Sequence, residues 1–254
     1  MHKRLPRGNA PDLLCVSALT PHLPVIQAGY GAPVIVALKP HPRDLVKPRL
    51  RGVIHQWAAM ATVVTGTVLV SLPQRGTVRT ASAIYAVSIL ALFTTSAVYH
   101  RRHWVTDKAR AVMRRLDHSM IFVFIAGTYT PICVALLHGT TRLALLSVVW
   151  GAAGLGVVTS VAVPHAPRWV TVPLYVALGW AAAFVLPDIL HGAGVAALVL
   201  LCTGGLLYSL GGIAYGLRRP NPVPGVFGYH EVFHLCTVLA AICHYIAVTF
   251  AVLH

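Results

Sequence analysis

The sequence predicts an all-α fold, a bundle of seven transmembrane helices, and three observations support that prediction. The chain has 254 residues, of which 57% are hydrophobic and only 10% are charged, whereas a soluble domain carries about a quarter charged residues. Apolar segments of about 20 residues, the length that crosses the hydrocarbon core of a bilayer, follow one another along the chain. Lys and Arg are concentrated in alternate connections between these segments.

Residues 1–50 form the first predicted unit, a basic and proline-rich tail. They hold eight of the 17 prolines and seven of the 20 basic residues. The apolar run VIVAL at 34–38 is too short to cross a membrane. We therefore expect a mobile tail ahead of a membrane domain that comprises residues 51–254.

The membrane domain contains seven apolar segments, each near the length that a spanning helix needs. Glycine and proline inside them, such as Gly127, Pro131 and Pro173, are tolerated because neighbouring helices satisfy the freed backbone groups. The small-residue stretch GAAGLG at 151–156 favours close helix approach. The predicted segments lie at about 53–72, 80–99, 116–138, 143–163, 169–187, 192–217 and 230–253.

The distribution of Lys and Arg predicts the orientation of the bundle. Seventeen of these residues fall in the tail and in the second, fourth and sixth connections, and only three fall in the other connections. Since positively charged connections stay in the cytoplasm, we predict a cytoplasmic N-terminus and an external C-terminus. The formal net charge of +14 is then a topology signal, and a nucleic-acid partner is excluded.

Five polar residues are predicted to lie together at the cytoplasmic side. Ser96 and His100 end the second segment, Asp117 begins the third, and His230 and His234 begin the seventh. The predicted orientation places all of these segment ends at similar depth on one side of the membrane. A polar side chain at membrane depth needs a partner or a function.

Their residue types and spacing favour a zinc site. His230 and His234 are four residues apart and share one helix face. With His100 they supply three imidazoles, which together with an open position for water form a standard catalytic zinc arrangement. Asp117 would hold that water or orient a histidine, and Ser96 is the second catalytic candidate. Another metal that favours imidazole remains an alternative to zinc.

Three other histidines, His55, His118 and His244, are predicted to have structural roles. His244 lies ten residues beyond His234 in the sequence. That spacing corresponds to about 15 Å along a helix, too far for the same metal.

The motif HEVFH at 230–234 also raises the alternative of an intramembrane metalloprotease. That function requires Glu231 as general base and a third ligand at the same site. Only 20 residues follow His234, and His244 is misplaced, so other segments would have to complete the site. We consider this alternative the weaker one.

Three stretches of the chain resemble the haemolysin III family. They are SAVYHRRHW, RRLDHSMIFVFIAGTYTPICVALLHG and GGIAYGLRRPNPVPGVFGYHEVFHLCTVLAAICHYIAV. This family is the bacterial branch of the progestin and adipoQ receptors, which also include the adiponectin receptors. The resemblance runs from about residue 47 to the C-terminus and leaves out the proline-rich tail.

The resemblance implies a multi-pass protein of the bacterial inner membrane, with seven helices around a zinc ion near the cytoplasmic face. The implied ligands are His100, His230 and His234, with Asp117 beside the metal through water and Ser96 nearby. The family is grouped with alkaline ceramidases, and its receptors are thought to hydrolyse lipid amides. Glu231 falls where related receptors carry Gln, which weakens a protease role.

Three functions follow as hypotheses. The first is a zinc-dependent hydrolase of a lipid amide such as a ceramide, with membrane lipid as the substrate within the bundle. The second is a non-enzymatic sensor or receptor with a structural zinc. The third is a cytolysin, as the family name suggests, although seven apolar helices describe a resident membrane protein better than a secreted toxin.

Overall fold

The computed structural model describes residues 47–163 and 166–254. In these residues the fold is helical, and the only β pairing is an isolated bridge between Val223 and Phe227. The predicted tail lies almost wholly outside the described residues. The helices are α1 Val53–Ser71, α2 Gly76–Arg101, α3 Asp107–Leu136, α4 Gly139–Ala162, α5 Arg168–Gly179, α6 Leu186–Leu217 and α7 Tyr229–Leu253, with a 3₁₀ segment Trp180–Val185 between α5 and α6.

Six helical stretches of the described chain are long and apolar enough to cross a membrane. Five of them, α1 to α4 and α7, each cover one of the predicted segments. The remaining stretch, Arg168–Leu217, is 50 residues long and covers two predicted segments. The all-helical membrane fold is therefore confirmed.

The third helix begins earlier than its apolar pattern predicts, at Asp107 and not near residue 116. The hydroxyl of Thr106 accepts a hydrogen bond from the Ala109 N–H at 3.2 Å, and such a cap satisfies one of the free N–H groups of the first turn. Asp107 in the first turn adds a favourable interaction with the helix dipole. Hydropathy did not reveal this start because the first turns of α3 are charged and extend beyond the apolar part.

The stretch Arg168–Leu217 folds back on itself. A straight helix of that length would extend about 75 Å, yet the Arg168 Nη1 donates a hydrogen bond to the Tyr215 carbonyl at 3.2 Å. Closer to the middle, the Trp180 Nε1 donates to the Ser209 Oγ at 3.0 Å. The midpoint of these pairs falls near Gly194, whose φ of 80° and ψ of 174° break the helix in a region that only glycine adopts readily.

The end of α5 is stabilised by Tyr129 from α3. The Tyr129 hydroxyl donates to the Gly179 carbonyl at 2.7 Å and accepts from the Ala182 N–H at 2.6 Å. These bonds satisfy backbone groups that the change from α-helix to 3₁₀ helix leaves without intrahelical partners. They also attach the hairpin formed by α5 and α6 to the centre of the bundle.

The third helix is the central element of the bundle. It packs against α2, α4 and α7 and touches α5 and α6, while α7 packs mainly on α6. In the stretch GAAGLG, Gly156 allows the predicted close approach, because a Cβ there would lie 2.4 Å from the Phe122 ring of α3. This packing brings the end of α2 and the starts of α3 and α7 together.

Candidate metal centre

Three histidines meet where α2 ends and α7 begins. His100 occupies the last turn of α2, and His230 and His234 lie in the first two turns of α7. Their candidate ligand nitrogens all lie within 4.8 Å of one another. His100 and His234 are buried, and His230 is partly buried. The structure thus brings together the three histidines that the sequence selects.

The spacing of the ring nitrogens fits a shared ion. The Nε2 atoms of His230 and His100 are 3.1 Å apart. Tetrahedral zinc, with Zn–N bonds of about 2.0–2.1 Å, holds its nitrogens roughly 3.4 Å apart. An N–H···N hydrogen bond between two neutral imidazoles has a similar length, so the metal content of the protein decides between the two.

Asp117 and Ser96 border the same space. The Asp117 Oδ2 lies 3.7 Å from the His100 Nε2, close enough to contact a molecule bound at the cluster but too long for a direct hydrogen bond. Ser96 is buried and lies close to Asp117. Both side chains line one cavity together with His230 and His234.

Glu231 has a structural role in the first turn of α7. Its side chain is fully buried, and its Oε2 accepts the Gly228 N–H at 2.9 Å. Its Oε1 forms an ion pair with the Arg51 Nε. Because both carboxylate oxygens are engaged away from the three histidines, the structure argues against Glu231 as the general base of a protease.

A short segment ahead of α1, residues 47–52, lies over the end of α2 and the start of α7, and we call it the strap. The Lys47 Nζ donates to the His100 carbonyl, and burial together with nearby guanidinium groups, that of Arg51 first, lowers the pKa of Lys47. The strap also donates backbone hydrogen bonds from residues 49 and 50 to the loop before α7. Gly52 has a φ of +81°, and a Cβ there would lie 2.7 Å from the His100 Cβ.

We expect Arg51→Met to lower the stability of the protein and its affinity for metal. The Glu231 side chain is 1% exposed and that of Arg51 19% exposed. Removal of one partner of a buried ion pair leaves an uncompensated charge, at a cost of about 3 kcal/mol. Thermal unfolding in detergent and zinc content measure the two effects.

Arg49→Met is the matched control for this variant, because it removes the same charge from the same strap. Arg49 is exposed, and its hydrogen bond to Gly225 comes from the backbone N–H. Equal melting temperatures and equal zinc contents for the two variants would contradict the importance of the ion pair.

A cavity of about 130 Å³ opens beside the histidines. This is roughly ten times the volume of about 10–15 Å³ that one water molecule needs. It extends from Ser96 and Asp117 to His244, about 15 Å beyond His234 along α7. Its walls are mainly apolar and include Ile121, Phe124, Val172, Val176 and Phe233. The cavity therefore suits a molecule with a polar group at one end and an apolar chain.

Two of the three histidines predicted to be structural make the expected contacts. His118 Nδ1 lies 2.7 Å from the Arg114 carbonyl, and His244 Nε2 lies 3.2 Å from the Leu201 carbonyl. The third, His55, stacks on His234 with ring centroids 3.8 Å apart and planes 7° apart. Sequence reasoning missed this fourth imidazole at the cluster, although its place in the first turn of α1, at the end predicted to be cytoplasmic, was the available signal.

Comparison with known proteins gives the same assignment for most of the chain. The family model described as haemolysin-III related matches residues 43–245. The chain is 32% identical to a Hemolysin-3 homolog of Bacillus subtilis (strain 168), over 59% of this chain and 67% of the relative. It is 28% identical to Hemolysin-3 of Bacillus cereus, over 68% of this chain and 75% of the relative. It is also 28% identical to the heptahelical transmembrane protein ADIPOR2 of Oryza sativa subsp. japonica, over 65% of this chain and 79% of the relative.

Proposed function

The chain belongs to the haemolysin III family of the progestin and adipoQ receptor superfamily, and we propose that it is a zinc-dependent hydrolase of lipid amides. As a member of this family it is a multi-pass protein of the cell membrane. One observation carries the proposal: His230, His234 and Asp117 line one end of a largely apolar cavity, and His100 completes a cluster of three histidines there. A ceramide-like molecule has the matching shape, with an amide next to a long acyl chain.

We further propose seven membrane spans, with a cytoplasmic N-terminus and an external C-terminus. The reversal of the stretch Arg168–Leu217 near Gly194 supports two spans there. The distribution of Lys and Arg supports the orientation. In this arrangement the metal centre lies at the cytoplasmic side of the membrane.

In this proposal His100, His230 and His234 hold zinc. Bound zinc would supply an activated water near neutral pH and polarise a carbonyl oxygen. Asp117 Oδ2 accepts the proton of the water that attacks the amide carbonyl and then donates it to the leaving nitrogen. The Ser96 hydroxyl orients Asp117 or donates a hydrogen bond to the carbonyl oxygen as negative charge develops there.

A second candidate function is a non-enzymatic sensor or receptor with a structural metal. It is favoured by the position of the cluster, which connects the end of α2 to the start of α7. The name Hemolysin-3 describes the Bacillus relatives, and no feature of the described residues favours cytolysis here.

A turnover assay tests the proposed hydrolase. Protein purified in detergent, with its metal content measured, is incubated with a long-chain N-acyl amide, and the released fatty acid is quantified. We expect release that stops on zinc removal by a chelator and returns on addition of zinc. A zinc-loaded, folded protein that releases no fatty acid from N-acyl amides would contradict the proposal.

A further inference from the structure

An open groove runs between α1 and α2 on the surface of the bundle, and it shares no lining residue with the cavity beside the histidines. Its volume is about 650 Å³, against about 130 Å³ for that cavity. Small residues form its floor, where a Cβ at Gly66 would lie 3.1 Å from the Ala86 Cβ. Val63 and Val87, which are 55% and 66% exposed, form its walls. The groove therefore offers an alkyl chain both room and apolar contacts.

The hydroxyl groups along the groove are already paired. Those of Thr62, Thr67 and Ser71 each donate to a backbone carbonyl of α1, at 2.7, 2.8 and 2.7 Å. A buried hydroxyl without a partner is costly, but here each has one within its own helix. A hydrocarbon chain in the groove therefore leaves no polar group of α1 unsatisfied.

The length of the groove matches the depth of one leaflet of a bilayer. It extends along α2 from Arg79 to Leu90, about 16 Å at 1.5 Å per residue, and along α1 from Ser71 back to Thr62, about 14 Å. Half of a hydrocarbon core of about 30 Å is about 15 Å. Since α1 ends at Ser71 and α2 begins at Gly76, the groove begins where these helices leave the membrane and ends near its midplane.

A positive charge lies at the outer end of the groove. The Arg79 Nη2 donates to the Pro73 carbonyl at 3.1 Å, which uses one of the five N–H donors of the guanidinium group. In the described part of the chain no carboxylate pairs with Arg79. Arg75 lies one turn earlier on the same helix face. Only three Lys or Arg residues fall in the connections predicted to be external, namely Arg75, Arg79 and Arg142, so two of the three are at this end of the groove.

We propose that this groove binds an anionic phospholipid, with one acyl chain between α1 and α2 and the phosphate on Arg79. Arginine suits this contact because its planar donors bind two phosphate oxygens at once. The chain then extends from Arg79 towards Leu90, over the depth of one leaflet. In the proposed orientation this is the outer leaflet, away from the metal centre.

A second copy of the chain is the competing occupant, because small residues also favour contact between helices. Two copies inserted the same way round are related by a two-fold axis along the membrane normal, so each residue faces its own counterpart. A dimer formed through this groove would bring Arg75 and Arg79 of both copies to one level. The four guanidinium groups would repel one another, whereas a phosphate neutralises them, so the charge favours the lipid.

Photochemical labelling of the full chain tests the proposal. The protein is reconstituted in phosphatidylcholine vesicles that contain a trace of photoreactive phosphatidylglycerol or of photoreactive phosphatidylcholine, each with a diazirine in the distal half of one acyl chain. Labelled peptides are located and quantified by mass spectrometry. The measurement needs neither metal nor turnover, so its result is independent of the proposed hydrolase.

We expect adducts at the inner end of the groove, around Val63 and Leu90, about tenfold more often with phosphatidylglycerol than with phosphatidylcholine. This is the effect of one hydrogen bond to a charged group. Arg79→Gln should remove the preference, and Ala83→Phe, which fills the groove, should remove the adducts of both lipids.

Two matched controls should keep the wild-type yields. Arg142→Gln removes the same charge from another connection on the same predicted side. Ala61→Phe adds the same ring at an exposed residue of α1 outside the groove.

Three results would overturn the proposal. Equal yields from the two lipids in the wild-type protein would show that the groove does not select an anionic headgroup. An equal fall in Arg142→Gln and Arg79→Gln would assign the preference to the charge of the whole membrane surface. A wild-type dimer that Ala83→Phe converts to monomers, without adducts in the groove, would show that a second copy occupies it. Arg79 is exposed, so Arg79→Gln tests the proposal even if Ala83→Phe fails to fold.

Discussion

Replacing His230 and His234 together by alanine should remove the bound metal completely. Wild-type protein purified in detergent should contain about one zinc ion per chain, and the double variant none. The two side chains lie four residues apart on one face of α7 and supply two of the three imidazoles. A single histidine cannot retain the ion, since a catalytic zinc site holds its metal through three protein ligands.

His244→Ala is the control for this experiment. It removes an imidazole from the same helix, but one that pairs with the Leu201 carbonyl far from the cluster. It should lower thermal stability and leave the zinc content unchanged. If the wild-type protein is folded and monodisperse but contains no metal, the contact between His100 and His230 is an N–H···N hydrogen bond, and the prediction of a metal site is wrong.

The depth of each element could be predicted from the sequence, because hydropathy and charge both report position along the membrane normal. Charge alone assigns the end of α2 and the starts of α3 and α7 to one side of the membrane. That assignment was enough to bring His100, His230 and His234 to the same level, where the structure places them within reach of one ion. The roles of Asp117 and Ser96 stay predictions, although both line the adjoining cavity.

Contacts between helices could not be predicted, because neither hydropathy nor the distribution of charge reports which helices are neighbours or where a side chain points. The stack of His55 on His234 depends on the rotation of α1 against α7. The pairing of Arg51 with Glu231 depends on where the strap crosses the bundle. In the sequence, Glu231 is recognisable only as part of a zinc-binding motif. Its ion pair with Arg51 and its hydrogen bond from the Gly228 N–H give it a structural role at the start of α7.

Asp117→Asn should separate an enzyme from a structural zinc protein. The Asp117 Oδ2 lies 3.7 Å from the His100 Nε2, at the polar end of the cavity, and a carboxylate there can accept the proton of the attacking water. Asparagine keeps the shape and cannot accept that proton. If Asp117 is the general base, kcat for release of fatty acid should fall by about 10²–10⁴-fold, while the zinc content stays at one ion per chain.

Asp107→Asn, at the exposed start of the same helix, removes an equal charge and should leave both values unchanged. The comparison of kcat and zinc content between the two variants gives three distinguishable results. A large fall in kcat with zinc retained in Asp117→Asn assigns the proton transfer to this carboxylate. Loss of zinc would make Asp117 part of the metal site, because an imidazole ligand then depends on it for orientation. Unchanged turnover with zinc retained would contradict the role of Asp117 as general base and leave the proton to another group of the cavity.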